Sequence, residues 1–121
     1  MFENINPKDN SIQGLIITPT RELAIQISEA AQKLNETKNL NILAAYGGKD
    51  IKSQLNKLKR NIHLVIATPG RLLDHLDRDS INLSKLKTLV IDEADQMLLM
   101  GFKNEMEAII KETNKKRQTL C

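Results

Sequence analysis

Short apolar runs alternate with longer amphipathic stretches along this chain, and this alternation limits its possible folds more than any other feature. The apolar runs are rich in β-branched residues and nearly uninterrupted, as strands buried on both faces of a parallel sheet are. They span residues 14–18, 42–46, 64–68 and 88–92, and a further run starts at Thr119.

The stretches between these runs carry apolar residues at helical spacing, at 22–34, 51–58, 71–76, 94–100 and 103–113. On the first of them the buried stripe is expected to comprise Leu23, Ile27, Ala30, Ala31 and Leu34. Alternating strands and helices predict an α/β fold, a parallel sheet with right-handed crossovers. With 121 residues the chain fits a single domain, 1–121.

The unusual sequences of the chain fall where the predicted strands end. In open α/β sheets ligands bind beyond the carboxyl ends of the strands. The segments at these ends are Pro19-Thr20-Arg21-Glu22, Gly47-Gly48, Thr68-Pro69-Gly70-Arg71 and Asp92-Glu93-Ala94-Asp95. Because parallel strands end at the same edge, we expect these segments to form one constellation.

The acidic segment follows the apolar run Leu89-Val90-Ile91. A carboxylate at such a strand end, here Asp92, can hold hydrated Mg²⁺, and the neighbouring Glu93 can orient or deprotonate an attacking water. The alternative is an ordinary acidic cap at the start of a helix. The phosphate-cradling loop G-x-x-x-x-G-K-[ST], which usually accompanies such a pair, occurs nowhere in these 121 residues.

The other three segments offer groups that suit phosphates. Thr20 and Arg21 open a helix whose first N–H groups are free, and Thr68, Gly70 and Arg71 repeat this arrangement. Two adjacent glycines, Gly47 and Gly48, allow a backbone to approach a ligand closely. Ordinary caps and a plain turn are the alternatives. Together, however, the loops could follow successive phosphates of one nucleic-acid strand.

Composition narrows the class of partner. The net charge of +3 and the pI of about 9.1 permit a polyanion without requiring one. Two Phe, one Tyr and no Trp leave little surface for stacking bases, so any nucleic acid is expected to be held by its backbone. The one cysteine, Cys121, and the absence of a secretory signal or of an apolar run of ~18–20 residues predict a soluble, cytoplasmic protein without a membrane partner.

These motifs together resemble one family. Pro-Thr-Arg-Glu-Leu-Ala (19–24), Gly-Gly (47–48), Thr-Pro-Gly-Arg (68–71) and Asp-Glu-Ala-Asp (92–95) occur in the order and rough spacing of the DEAD-box ATP-dependent RNA helicases. The resemblance covers nearly the whole chain. It implies a RecA-like P-loop NTPase domain, the first of two in such proteins, here incomplete because it lacks the phosphate-loop strand.

The resemblance also implies roles for individual residues. ATP and Mg²⁺ would be the cofactors, with Asp92 holding Mg²⁺ through water, Glu93 acting on the hydrolytic water, and Asp95 coupling the nucleotide site to a later Ser-Ala-Thr motif. RNA would be the partner, bound without strong sequence preference. The residues implied to line its backbone path are Thr20, Arg21, Gly47, Gly48, Thr68, Gly70 and Arg71.

The chain departs from the family by omission, since the phosphate loop, the Ser-Ala-Thr motif and the second RecA-like domain are missing from it. We therefore expect a piece of a larger enzyme, inactive by itself. Without the phosphate-loop strand its sheet would have an unpaired edge, open to strand-exchanged dimers or aggregation. A non-catalytic RNA-binding or protein-interaction module, and a DNA-directed relative of the helicases, are the alternative functions.

Overall fold

Five parallel strands form one sheet in a computed structural model that describes residues 5–35, 39–48, 50–113 and 117–120. The order across the sheet is β2-β3-β1-β4-β5, and each neighbouring pair is parallel. The strands are β1 (Gly14–Ile17), β2 (Ile42–Ala45), β3 (Leu64–Ala67), β4 (Thr88–Ile91) and β5 (Gln118–Leu120). The predicted parallel α/β architecture is confirmed.

Five helices occupy the predicted positions among the described residues. They are α1 (Arg21–Leu34), α2 (Ile51–Leu58), α3 (Pro69–Asp77), α4 (Ala94–Leu99) and α5 (Lys103–Lys111). Two hydrophobic clusters cover the two faces of the sheet. One cluster contains Ala24 and Ala31 of α1, whereas the other contains Leu72 of α3 and Ile109 of α5. Because both faces are covered, the first four strands are almost entirely apolar, as the sequence indicated.

The first four strands end one residue earlier than predicted. In three of these strands the next residue still donates its backbone N–H to a neighbouring strand, at 2.9–3.1 Å. Thr18 donates to the carbonyl of Ala67, Thr68 to that of Ala45, and Asp92 to that of Ile17. Each of the three residues is therefore fixed to the sheet at its amide, while the chain already turns towards the next helix. These turns are where the candidate site residues lie.

The predicted stripe on α1 was wrong at its end. Leu34 is 69% exposed and Ala30 is also exposed, whereas Ala24 is fully buried. A helix of 14 residues is about 21 Å long, and a strand of four residues spans only about 13 Å. The last turn of α1 therefore extends past the short strands that the helix covers.

The sheet has two outer strands, β2 and β5, and its inner strands are paired on both sides. A further strand can therefore join only beside β2 or β5. Among the described residues, no helix combines the length and the apolar character needed to cross a bilayer.

Candidate nucleotide and nucleic-acid site

The acidic loop, residues 92–95, begins where β4 leaves the sheet. The N–H of Asp92 donates to the carbonyl of Ile17 on the central strand at 2.9 Å, which fixes the start of the loop. Glu93 then adopts left-handed backbone angles, φ 54° and ψ 50°, before α4 begins at Ala94. Such a conformation is uncommon outside glycine and is enriched at functional sites, although Asn39 and Asp79 adopt it here as well.

The capping alternative for this acidic pair is not supported. Glu93 occupies the N-cap position of α4, but its side chain accepts no hydrogen bond from the first turn. The nearest equivalent bond belongs to Asp95, whose Oδ1 accepts from the N–H of Gln96 at 3.0 Å. Asp92 is half-buried and Glu93 is exposed, so both carboxylates have access to solvent.

The acidic loop fits hydrated Mg²⁺ rather than a metal held entirely by protein. Across the described parts of the chain, no group of three or more His, Cys, Asp or Glu side chains is arranged to hold a metal ion. Mg²⁺ is typically bound through one or two carboxylates, with waters and substrate phosphates completing its octahedron. Asp92 offers one such hard oxygen ligand, and the exposed Glu93 beside it remains available to a water.

The first basic loop, residues 18–21, leads into α1. The hydroxyl of Thr20 accepts a hydrogen bond from the N–H of Leu23 at 3.2 Å, so Thr20 caps the helix as its alternative interpretation proposed. Arg21 starts the helix and is exposed. Its guanidinium carbon lies 5.9 Å from the centre of the Tyr46 ring, which is within reach of a cation–π interaction.

The second basic loop, residues 46–48, has no charged side chain of its own and owes its charge to Arg21 of the first loop, which lies against it. Gly48 has φ +83°, a backbone conformation that L-amino acids rarely adopt. A Cβ at this position would lie 2.8 Å from Nη1 of Arg21, so the arginine lies directly against the glycine backbone. The backbone conformation of the turn is enough to account for a glycine at position 48. Gly47 has open space where a Cβ would be, so the isolated chain does not require a glycine there.

The third basic loop, residues 68–71, is joined to the second by a side chain. Thr68 stands at the N-cap of α3, followed by Pro69, but its hydroxyl makes no capping hydrogen bond. Gly70 is exposed and a Cβ on it would meet nothing within 4 Å. Nη1 of Arg71 donates to Oε1 of Gln54 at 3.2 Å, and Nε2 of Gln54 donates to the carbonyl of Tyr46, also at 3.2 Å.

The structure thus joins the three basic loops to one another, but no described hydrogen bond joins them to the acidic loop. Strand order separates the 46–48 turn from the acidic loop, since β3 and β1 lie between β2 and β4, whereas the 18–21 loop follows β1, the direct neighbour of β4. The site consists of two parts on one sheet edge.

Two residues of this site were missed by the sequence interpretation, namely Gln54 and His75. Both are fully buried, and Nε2 of His75 lies 2.8 Å from Oε1 of Gln54. A signal was present, because Gln54 lies at helical spacing within the apolar stripe of Ile51, Leu55 and Leu58. A polar residue in such a stripe requires buried hydrogen-bond partners.

Comparison with known proteins agrees with these motifs. The family model described as DEAD/DEAH box helicase matches residues 1–121, and the chain belongs to this family.

Particular relatives extend the comparison. The ATP-dependent RNA helicase CshA of Listeria monocytogenes is 52% identical over 120 residues, which cover 99% of this chain and 23% of the relative. The DEAD-box ATP-dependent RNA helicase CshA of Bacillus subtilis is 47% identical, with 99% and 24% covered. The chain therefore spans about a quarter of the length of these curated relatives.

A solved structure shows the same fold. The crystal structure of a DEAD box protein from the hyperthermophile Methanococcus jannaschii superposes with a TM-score of 0.91 at 44% identity, covering 98% of this chain and 32% of that one. The RecA-like architecture implied by the sequence motifs is thereby confirmed.

Proposed function

We propose that this chain functions as part of an ATP-dependent RNA helicase. It would supply the carboxylates that act on Mg²⁺ and on the attacking water, and one part of the surface that binds the RNA backbone. The observation that carries the proposal is the joining of three phosphate-suited loops. Arg21 lies against Gly48, and Arg71 is linked through Gln54 to the carbonyl of Tyr46. This joined surface lies on the same sheet edge as Asp92 and Glu93.

The basic loops support contact with a backbone rather than with bases. Two arginines and the exposed glycines at 47, 48 and 70 offer charge and close approach along one surface. Tyr46, the chain's one tyrosine, is half-buried and its ring lies beside the Arg21 guanidinium. Recognition of this kind is sensitive to salt and largely indifferent to sequence.

The acidic loop supports the hydrolytic half of the proposal. Asp92 would hold Mg²⁺ through water, and bound Mg²⁺ supplies neutralisation of charge on the β- and γ-phosphates of ATP. Glu93 would orient the attacking water or accept its proton. Asp95, exposed on the first turn of α4, would connect the nucleotide site with a Ser-Ala-Thr segment. The phosphate cradle and a second RecA-like domain would come from other parts of a protein as long as the relatives.

A chimera tests this function. The 121 residues would replace the matching segment of the Listeria CshA, and RNA-stimulated ATP hydrolysis would be measured for the chimera and for its Asp92→Asn and Arg21→Ala variants. We expect turnover by the chimera, its loss in Asp92→Asn, and a raised RNA requirement in Arg21→Ala. A matched Arg60→Ala variant removes an exposed cation near the amino ends of the strands and should change nothing.

Two outcomes would contradict the proposal. The first is a soluble, folded chimera without ATP turnover, and the second is equal stimulation of the Arg21→Ala chimera and its parent by every RNA concentration. A parallel titration with single-stranded DNA separates an RNA enzyme from a DNA-directed relative. Salt-sensitive RNA binding without turnover would instead favour a non-catalytic binding module.

The chain by itself is proposed to bind RNA weakly and not to hydrolyse ATP, because it contains no phosphate loop. Turnover above that of Glu93→Gln would contradict this.

The outer strand β5, on which Leu120 is 48% exposed, supports self-association of the isolated chain by strand pairing. Light scattering across protein concentrations tests it, since a strictly monomeric chain would overturn the expectation.

A further inference from the structure

The buried carboxamide of Gln54 connects two of the basic loops, the 46–48 turn and the loop that leads into α3. Gln54 belongs to α2, a helix outside all four motifs, and its side chain has no solvent exposure. Its Nε2 donates to the carbonyl of Tyr46 at 3.2 Å. Its Oε1 accepts from Nη1 of Arg71 at 3.2 Å and from Nε2 of His75 at 2.8 Å.

The chemistry of the partners fixes the orientation of this amide. An arginine only donates and a carbonyl only accepts, so the carboxamide oxygen must face Arg71 and its nitrogen must face Tyr46. The same oxygen requires a proton on Nε2 of His75. Burial, reinforced by the nearby Arg71 charge and opposed by Asp74, lowers the pKa of His75, which favours the neutral ring. Its Nδ1 lies 2.8 Å from the hydroxyl of Ser80, whose single proton can go either to this nitrogen or to the His75 carbonyl, 3.0 Å away.

The Tyr46 backbone is thereby held from two directions. Gln54 holds its carbonyl, and the Arg21 guanidinium lies over its ring. Gly47 and Gly48 follow directly, and Gly48 touches Arg21. The pairing of β2 with β3 already aligns the two loops at their strand ends, and the Gln54 carboxamide, which no ligand can reach, adds a side-chain link between the Tyr46 carbonyl and Arg71.

An apolar residue would serve the core at position 54 at lower cost. Burying a carboxamide is unfavourable by about 1–3 kcal/mol unless its hydrogen bonds are made. Removing the carboxamide would take one hydrogen-bond partner each from the Tyr46 carbonyl, from Arg71 and from His75. Networks of this kind fix one geometry among several similar ones.

We propose that Gln54 is a positioning residue for the RNA path: its carboxamide sets Arg71 and the 46–48 turn at the spacing that a nucleic-acid backbone requires. This inference rests on the proposed RNA function. It adds a residue from outside the recognised motifs, which acts on RNA only through Arg71 and the turn.

A double-mutant cycle on the 121-residue chain tests it. Binding of a labelled oligouridine would be measured for Gln54→Leu, Arg71→Ala and the double variant. Loss of a charge-assisted contact is expected to weaken binding about tenfold in Arg71→Ala, and Gln54→Leu should approach the same loss. Because part of the Gln54 effect acts through Arg71, the double variant should lose less affinity than the product of the two single losses, and any loss beyond that of Arg71→Ala reports the 46–48 turn. Gln32→Leu, the same replacement at an exposed position of α1, should bind like the parent chain.

Two results of the double-mutant cycle would overturn the inference. Losses that multiply in the double variant would show that Gln54 acts independently of Arg71, as a general support of the fold. Parental affinity in Gln54→Leu would overturn it as well.

A measurement without RNA keeps the inference separate from the proposed function. Nuclear magnetic resonance of the free chain reports the amides of Gly47 and Gly48 and the side-chain N–H of Arg71. In Gln54→Leu these signals should shift and broaden, while those of β3 stay in place. If the parent chain binds no oligouridine, the RNA proposal fails, and these signals alone test whether Gln54 positions Arg71 and the 46–48 turn. Unchanged glycine and arginine signals would then refute the positioning role, and displaced ones would uphold it.

Discussion

The basic and acidic parts of the ligand edge are built in opposite ways. The basic loops are bonded to one another through Arg21, Tyr46, Gln54 and Arg71. In the acidic loop, Glu93 makes no capping bond, and the loop is held by backbone hydrogen bonds, from Asp92 to Ile17 and from Met97 to Glu93. One part is organised by contacts within the chain, whereas the other presents carboxylates from a strained turn.

This difference indicates what each part requires from other segments. Groups that are already arranged lose little freedom when a ligand binds, so under the proposed function we expect the basic loops to bind an RNA backbone without help from other segments. Carboxylates that hold Mg²⁺ and direct water need a positioned triphosphate as well, and the 121 residues contain no phosphate loop. Binding and hydrolysis should therefore be separable by mutation.

The largest separation is expected from Glu93→Gln in the CshA chimera. Loss of a general base typically lowers turnover by about 10²–10⁴-fold, while RNA affinity should stay unchanged because the basic loops make no described contact with Glu93. Steady-state ATP hydrolysis and oligouridine binding measure the two effects. Glu107→Gln, an exposed position on α5, is the matched control. A chimera that retains turnover after Glu93→Gln would refute the assigned role.

A core substitution should impair the basic and the acidic part together, because it destabilises the sheet that carries both. Leu15 is fully buried on β1, the central strand, which is hydrogen-bonded to both β3 and β4. Leu15→Ala is expected to lower the free energy of unfolding by about 2–5 kcal/mol, through lost burial and a cavity. Urea unfolding followed by circular dichroism measures the change. A loss below 1 kcal/mol, by the same scale, would show that the sheet centre is not packed as described.

Gly48 and Gly47 form a matched pair within the basic loops. Gly48→Ala places a Cβ at φ +83° and 2.8 Å from Nη1 of Arg21, so we expect a loss of about 1–2 kcal/mol in stability and weaker RNA binding. Gly47→Ala meets no atom within 4 Å and should leave stability unchanged. It should still weaken binding if the RNA backbone approaches Gly47 closely. Equal unfolding midpoints for the two variants would contradict the geometry of the turn.

The smallest expected effect is a pH dependence that originates in the His75 network. The folded pKa of His75 lies below its ordinary value of 6.5, because burial disfavours the charged ring. The unfolded chain then binds more protons between the folded pKa and 6.5, so this contribution to stability is complete above pH 6.5 and decreases as the pH falls towards the folded pKa.

Urea midpoints on either side of pH 6.5 measure this effect. His75→Gln should reduce the slope, and His63→Gln controls for loss of a histidine elsewhere. An unchanged slope in His75→Gln would contradict the assignment.

The sequence predicted the sheet and the motifs well, because both depend on local patterns. The apolar runs led to the strands, and the segments after them led to the candidate residues of both parts. The left-handed angles of Glu93 and the link between Arg71 and Tyr46 could not be predicted, since they depend on tertiary contacts. Leu34 was misassigned for a similar reason, as the extent of α1 beyond the sheet depends on packing.

The central claim is that the basic loops of this chain already form one surface for a nucleic-acid backbone. The salt dependence of oligouridine affinity tests it most directly, for the parent chain and for its Arg21→Ala, Arg71→Ala and Arg60→Ala variants. Each of the first two substitutions should reduce the slope of log affinity against log salt by about 0.7, the value for one phosphate contact on a single strand, while Arg60→Ala leaves it unchanged. The same reduction in all three variants, or affinity that does not respond to salt, would contradict the account.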